Sequence, residues 1–190
     1  MTMKLEDIRK DIDVLDAEIR ELLMKRLDYA EQVVQTKIDD GIHHIYLEER
    51  EDNIMANMSD GVPEERLPEM KGFARKMIES SRMLQYSILY DQVDGLFEEL
   101  LEDVEIPAEP KKVRFEMIRD NVPGQAAAIF GLISDYGYNV TEIQRMDNSI
   151  DNSAMRLWIT VGGSIEDINV RKMLLQLSQE SQEFEILSVE

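Results

Sequence analysis

Arg26 occupies a position where the sequence around it calls for leucine. Leu5, Ile8, Ile12, Leu15, Ile19 and Leu22 step by three and four residues, the rhythm of one buried helix seam, and the next step is Arg26, followed by Tyr29 and Val33. A guanidinium stays protonated at any ordinary pH and is costly to bury without a partner, so the spacing predicts an anion against it. A second run repeats the anomaly: Leu67, Met70, Ala74 and Met77 lead by the same rhythm to Ser81, with Gln85 one turn further on. Polar groups in two apolar seams predict a polar pocket within a helical bundle. The candidates to line it are Arg9, Arg26, Lys37, Arg50, Glu51, Ser81 and Gln85. Arg26 and Lys37 differ by only ~20° around a helix and sit ~16 Å apart along it, so both can reach one small molecule. Arg9 lies ~25 Å before Arg26 on the same helix, which exceeds their combined reach. If Arg9 serves the same site, it comes from the other subunit of a dimer. Such a set suits recognition of a small anion.

Each residue also has a plainer reading. Arg9 alone is an ordinary surface arginine, and Arg26 could form a structural ion pair. Lys37 could simply favour the helix C-terminal dipole. Arg50 and Glu51 lie in the charged run Glu48–Asp52, ordinarily a solvated face, and Ser81 with Gln85 could be a hydrogen-bonded core pair. The combination is what raises them above these readings.

Composition narrows the classes. The chain has 190 residues, enough for one large or two small domains, and 43% of them are hydrophobic. It has no cysteine, which removes disulfides and thiolate chemistry and fits a reducing cytoplasm. His43 and His44, adjacent in a loop, make a weak case for metal, and no metal or cofactor is expected. No apolar run suits a signal peptide or a membrane span, so the expectation is a soluble cytoplasmic protein. The net charge of −19 argues against nucleic acid or an anionic membrane as partner. Residues 1–105 carry −14 of that charge and the remainder −5. An anion site in the first part must therefore rest on a local cluster of cations.

The elements that would position these residues read as follows. One helix spans 4–40, stopped by Asp39-Asp40-Gly41. A short helix covers 47–58. Pro63 opens a third helix from about Glu64 to about Leu101, with Pro68 tolerated in its first turns. Helices of ~35 residues span ~50 Å, too long to wrap a core within one such chain, so a partner chain is expected. Ile106–Pro110 is an extended linker. After it the period drops to two: strand 113–119, helix 123–136, strands 138–146 and 154–161, a helix opened by Ser164-x-x-Asp167 and running to about Ser178, then strand 184–189. Residues 147–152 form the turn between the middle strands. The order is βαββαβ, the ferredoxin-like split βαβ pattern.

The run Ile8-Arg9-Lys10-Asp11-Ile12-Asp13-Val14-Leu15-Asp16, then Leu22–Arg26, Lys37, Arg50-Glu51, Ile78–Ser81 and Gln85 resembles the all-helical family of chorismate mutases over about residues 4–90. One departure is Leu47, where the family often carries an acidic residue, after a loop one residue longer. The resemblance implies an intertwined helical dimer that donates an arginine, here Arg9, across the interface. It implies rearrangement of chorismate to prephenate without nucleophile, metal or proton donor. On that reading Arg26 and Arg9 clamp the two carboxylates, and Lys37 and Gln85 donate to the ether oxygen. Glu51 accepts from the ring hydroxyl, Arg50 adds positive field and orients Glu51, and Ser81 supports a carboxylate.

In the second half, Asp120-Asn121-Val122-Pro123-Gly124 at a helix start and Tyr136–Val140 entering a strand resemble an ACT domain. This implies an effector site at Asn121, Pro123, Gly124 and Asn139, with phenylalanine or tyrosine as ligand, although a tight turn without ligand also fits. Dimers could pair further through these modules. The expected fold class is thus α + (α+β): a three-helix chorismate mutase domain over 1–104, a linker over 105–111 and a ferredoxin-like ACT domain over 112–190. Two alternatives stay open. One is isochorismate pyruvate lyase on the same scaffold; the other is a non-catalytic amino-acid-sensing dimer.

Overall fold

The computed structural model describes residues 3–146 and 153–190, so the turn expected at 147–152 lies outside the described residues. Helix α1 runs Leu5–Asp39, with Glu6 and Asp7 in its first turn and Lys37 in its last, charges that suit its dipole. It stops where Gly41 takes a φ of 70°, a conformation glycine adopts without penalty. There Gly41 N donates to Ile38 O (2.9 Å) and Ile42 N to Lys37 O (2.7 Å). Helix α2 spans Glu48–Ser59, and a 3₁₀ turn at Glu64–Arg66 leads into helix α3, Leu67–Gln92.

Helix α3 is shorter than expected. It ends at Gln92, not near Leu101, because Gly95 turns the chain at a φ of 89° before a separate 3₁₀ turn at Glu98–Leu101. The apolar residues beyond the turn kept a helical rhythm, which masked the break. At 26 residues α3 spans ~39 Å.

Two compact units divide the chain. One runs to His43 and takes in Leu47–Gln85; the other holds His44–Tyr46 and Tyr86–Glu190. In the first, Ala30 and Val34 of α1 and Ala74, Ile78 and Ser81 of α3 are buried. The front half of α1 is not. Its seam residues Leu5, Ile8, Ile12, Leu15, Ile19 and Leu22 are between 39% and 65% exposed, and before Leu23 only Ala17 is even half-buried.

The second unit is a four-stranded sheet with helices. Its strands are β1 (Lys112–Asp120), β2 (Asn139–Arg145), β3 (Ala154–Gly162) and β4 (Glu183–Val189), in the order β2-β3-β1-β4 with every neighbour antiparallel. Alternation buries Val113, Phe115 and Met117 on β1, and Phe115 stacks on Phe184 at 5.3 Å. Helix α4 spans Gln125–Asp135, and helix α5 spans Ile168–Gln179. Both start later than expected. Gly124, at a φ of 92°, lies outside the helical basin. Asp167, not Ser164, caps α5 by accepting from Asn169 N at 2.9 Å.

A buried polar chain ties this unit together. Tyr136 OH donates to Gln176 Oε1 (2.9 Å), Gln176 Nε2 to Glu180 Oε1 (2.8 Å), and Arg119 Nη2 to Glu180 Oε2 (3.0 Å). Burial, and then the charge of Glu180, push the Tyr136 phenol up, so it stays a donor. The end of α3 belongs here too: Tyr86 and Leu89 are fully buried, and Lys172 Nζ donates to Ser87 Oγ (2.8 Å) and Asp91 Oδ2 (2.7 Å).

Gly163 sits where a side chain cannot. An added Cβ would lie 2.8 Å from Val170 Cγ2 and 2.9 Å from Tyr138 Cδ1. Gly163→Ala should therefore lower stability by about 1–3 kcal/mol, read as a lower urea midpoint by circular dichroism.

Candidate active site

All seven residues expected in the pocket fall within the first unit. Arg26 is half-buried on α1, and its Nη1 donates to Ser81 Oγ and, at 3.3 Å, to Met77 O. Ser81 in turn donates its hydroxyl proton to Met77 O at 3.1 Å. One helical turn of α3 thus supplies both acceptors for the guanidinium. Gln85 follows one turn later, its Nε2 donating to Ser81 O at 3.1 Å.

These partners are neutral. Among the described residues, no carboxylate forms an ion pair with Arg26. Burial lowers the Arg26 pKa, and the positive charge of Arg50 lowers it further. Arg50 itself is exposed. Lys37, three turns along α1 and also half-buried, is likewise pushed down by desolvation.

Glu51 on α2 pairs with Arg82 of α3. Arg82 Nη1 lies 3.1 Å from its Oε1 and 3.2 Å from its Oε2, with the two side chains only 15% and 22% exposed. Arg82 was absent from the candidates. Its signal was present in the sequence: it falls four residues after Ile78 and four before Tyr86, both buried, so it is another cation on an apolar stripe. Leu47 is the N-cap of α2 and offers no side-chain hydrogen bond.

Arg9 stays exposed on the uncovered part of α1. The four effector candidates lie in the second unit, all exposed. Asn121 N donates to Ser153 O at 2.8 Å, and Asn139 pairs with Gly162 in the sheet. Glycine is required at 124 by its positive φ, and the space beside it is open. Among the described residues, no group of three or more His, Asp or Glu could hold a metal ion, and no helix is long and apolar enough to cross a membrane.

A desolvated cation with neutral partners costs stability. Arg26→Leu should therefore leave the urea midpoint of unfolding at or above that of the parent chain. A clear fall in the midpoint would mark Arg26 as a structural residue instead.

No curated protein matches the chain. A solved structure described as "GqqA- a novel type of quorum quenching acylases" is similar over 46% of this chain and 32% of that one, at 24% identity and a TM-score of 0.41. The chain thus spans about a third of that structure's length, and the likeness is too low to bear on fold or function. Residues 8–86, which hold all seven residues of the pocket, match the family model of chorismate mutase type II.

Proposed function

We propose that the helical part is a chorismate mutase, converting chorismate to prephenate. One observation carries the reading: a half-buried arginine, repelled by Arg50 and held by a hydroxyl and a carbonyl, within a segment that matches that family. An anionic ligand is the natural complement of such a cation, because a bidentate carboxylate would restore the energy that desolvation costs.

The reaction is a unimolecular pericyclic shift, so the protein has to hold a compact conformer and stabilise charge separating across the breaking ether bond. Arg26 binds one carboxylate, and Ser81 fixes the orientation of its guanidinium. Arg9 of the partner subunit binds the other. Lys37 and Gln85 donate to the ether oxygen as it gains negative charge, and Glu51 accepts from the ring hydroxyl. The lowered Lys37 pKa fits this role: its ammonium is under-solvated, so a new negative charge beside it is favoured.

The dimer follows from the bare seam of α1. A row of aliphatic side chains, each worth ~1.5–3 kcal/mol on full burial, is what a second copy of this helix would cover. In this proposal residues 1–104 form the catalytic domain and 105–111 a linker. Residues 112–190 form a ferredoxin-like ACT module, supported by the strand order β2-β3-β1-β4. An aromatic amino acid bound at Asn121, Pro123, Gly124 and Asn139 regulates the enzyme, since prephenate leads to such products.

Loss of chorismate absorbance, followed with and without phenylalanine or tyrosine, tests the reading. Arg26→Ala and Lys37→Ala should each cut kcat/KM by at least ~100-fold; full activity in both would refute it. Leu15→Asp, on the exposed seam, should give a monomer by sedimentation and lose activity together with the partner's arginine. An active monomer would break the shared-site reading.

A further inference from the structure

We infer that Arg82 is a positioning residue of the same site: it acts through Glu51, holding that carboxylate in place and cancelling its charge against an anionic substrate. The inference rests on the mutase reading and adds a residue to it.

Three observations support it. Arg82 Nη1 sits nearly equidistant from the two Glu51 oxygens, at 3.1 and 3.2 Å, a symmetric grip that fixes the plane of the carboxylate. Both side chains are largely screened from water, at 15% and 22% exposure, so the pair is not an ordinary solvated surface bridge. Finally, α2 contributes no fully buried residue, and its cap Leu47 makes no side-chain hydrogen bond. Its inner face is half-buried at Glu51, Ile54, Met55 and Met58, so the ion pair is a described polar tie between α2 and α3. Arg82 directly follows Ser81, so the helical turn that fixes Arg26 also fixes Glu51.

The charge argument decides what Arg82 does for the reaction. A substrate with two carboxylates is repelled by any anion in the pocket. Glu51 can remain there as a hydroxyl acceptor only if a nearby cation offsets it. Removing the Arg82 charge should therefore weaken substrate binding more than it slows the bound substrate. The loss should shrink only in part with added salt, because ions screen the long-range share of the repulsion but reach partly buried charges poorly, and leave packing unaffected.

The test uses the full chain and steady-state kinetics on chorismate at low and high sodium chloride, with thermal unfolding recorded alongside. Arg82→Gln should raise KM roughly ten-fold while changing kcat by less than about three-fold, and high salt should reverse part of the rise. Arg82→Lys, which keeps the charge, should hold KM near the parent value. In Arg82→Gln/Glu51→Gln, KM should drop below that of Arg82→Gln alone, since the repelling anion is gone. A parent-like KM in Arg82→Gln overturns the inference, as does a rise that ignores salt and deepens in the double variant. If Arg82→Gln does not fold, Arg82→Lys and Arg82→Met decide: the lysine variant should keep KM near the parent value and the methionine variant should raise it, and equal KM values in the two overturn the inference. A parent chain that leaves chorismate unchanged removes the mutase reading itself and this inference with it, a result distinct from an active parent with an indifferent Arg82.

Discussion

The first unit is organised around the demand of one guanidinium. Arg26 interrupts an apolar seam, cannot lose its proton, and must find hydrogen-bond acceptors close by. Helix α3 meets that demand with Ser81 Oγ and the Met77 carbonyl, both from one turn. The same stretch of α3 buries Ala74 and Ile78, and Gln85 follows Ser81 by one turn on the same side. Hydroxyl and carbonyl oxygens satisfy the donors but not the charge. The arrangement therefore costs energy in the free chain.

Charges in this part are sorted rather than spread. The helical region is strongly acidic overall, yet Arg26, Lys37 and Arg50 lie where burial or mutual repulsion lowers the pKa of two of them. Long-range attraction of an anion is weak in such a protein. An anion held beside these cations would depend on short-range, partly desolvated contacts, where the effective dielectric is lower and each contact is stronger. The Arg82–Glu51 pair fits the same scheme: it brings a carboxylate into cationic surroundings together with its own counter-charge.

Helix α3 carries two different environments along one axis. Up to Gln85 it presents polar groups to the candidate site; from Tyr86 it joins the second unit, where Tyr86 and Leu89 are fully buried and Lys172 binds Ser87 and Asp91. The uncovered front of α1 is the contrasting case. Its aliphatic rhythm is as regular as that of any core helix, yet the residues are exposed in the single chain.

Much of this was legible in the sequence because it depends on helix geometry alone. The spacing of Arg26 against its leucines, the i,i+4 placement of Ser81 and Gln85, the glycine stop at Gly41 and the βαββαβ order all follow from periods of 3.6 and 2 with local turn chemistry. Other features depended on residues distant in the chain. That Glu51 would be claimed by Arg82, 31 positions away, depends on how α2 docks on α3. That α3 would end at Gln92 was decided by the left-handed turn at Gly95, against an apolar pattern that ran on through it. Periodicity assigns a side chain to a face of its own helix, but only the packing of one helix on another decides which group that face meets.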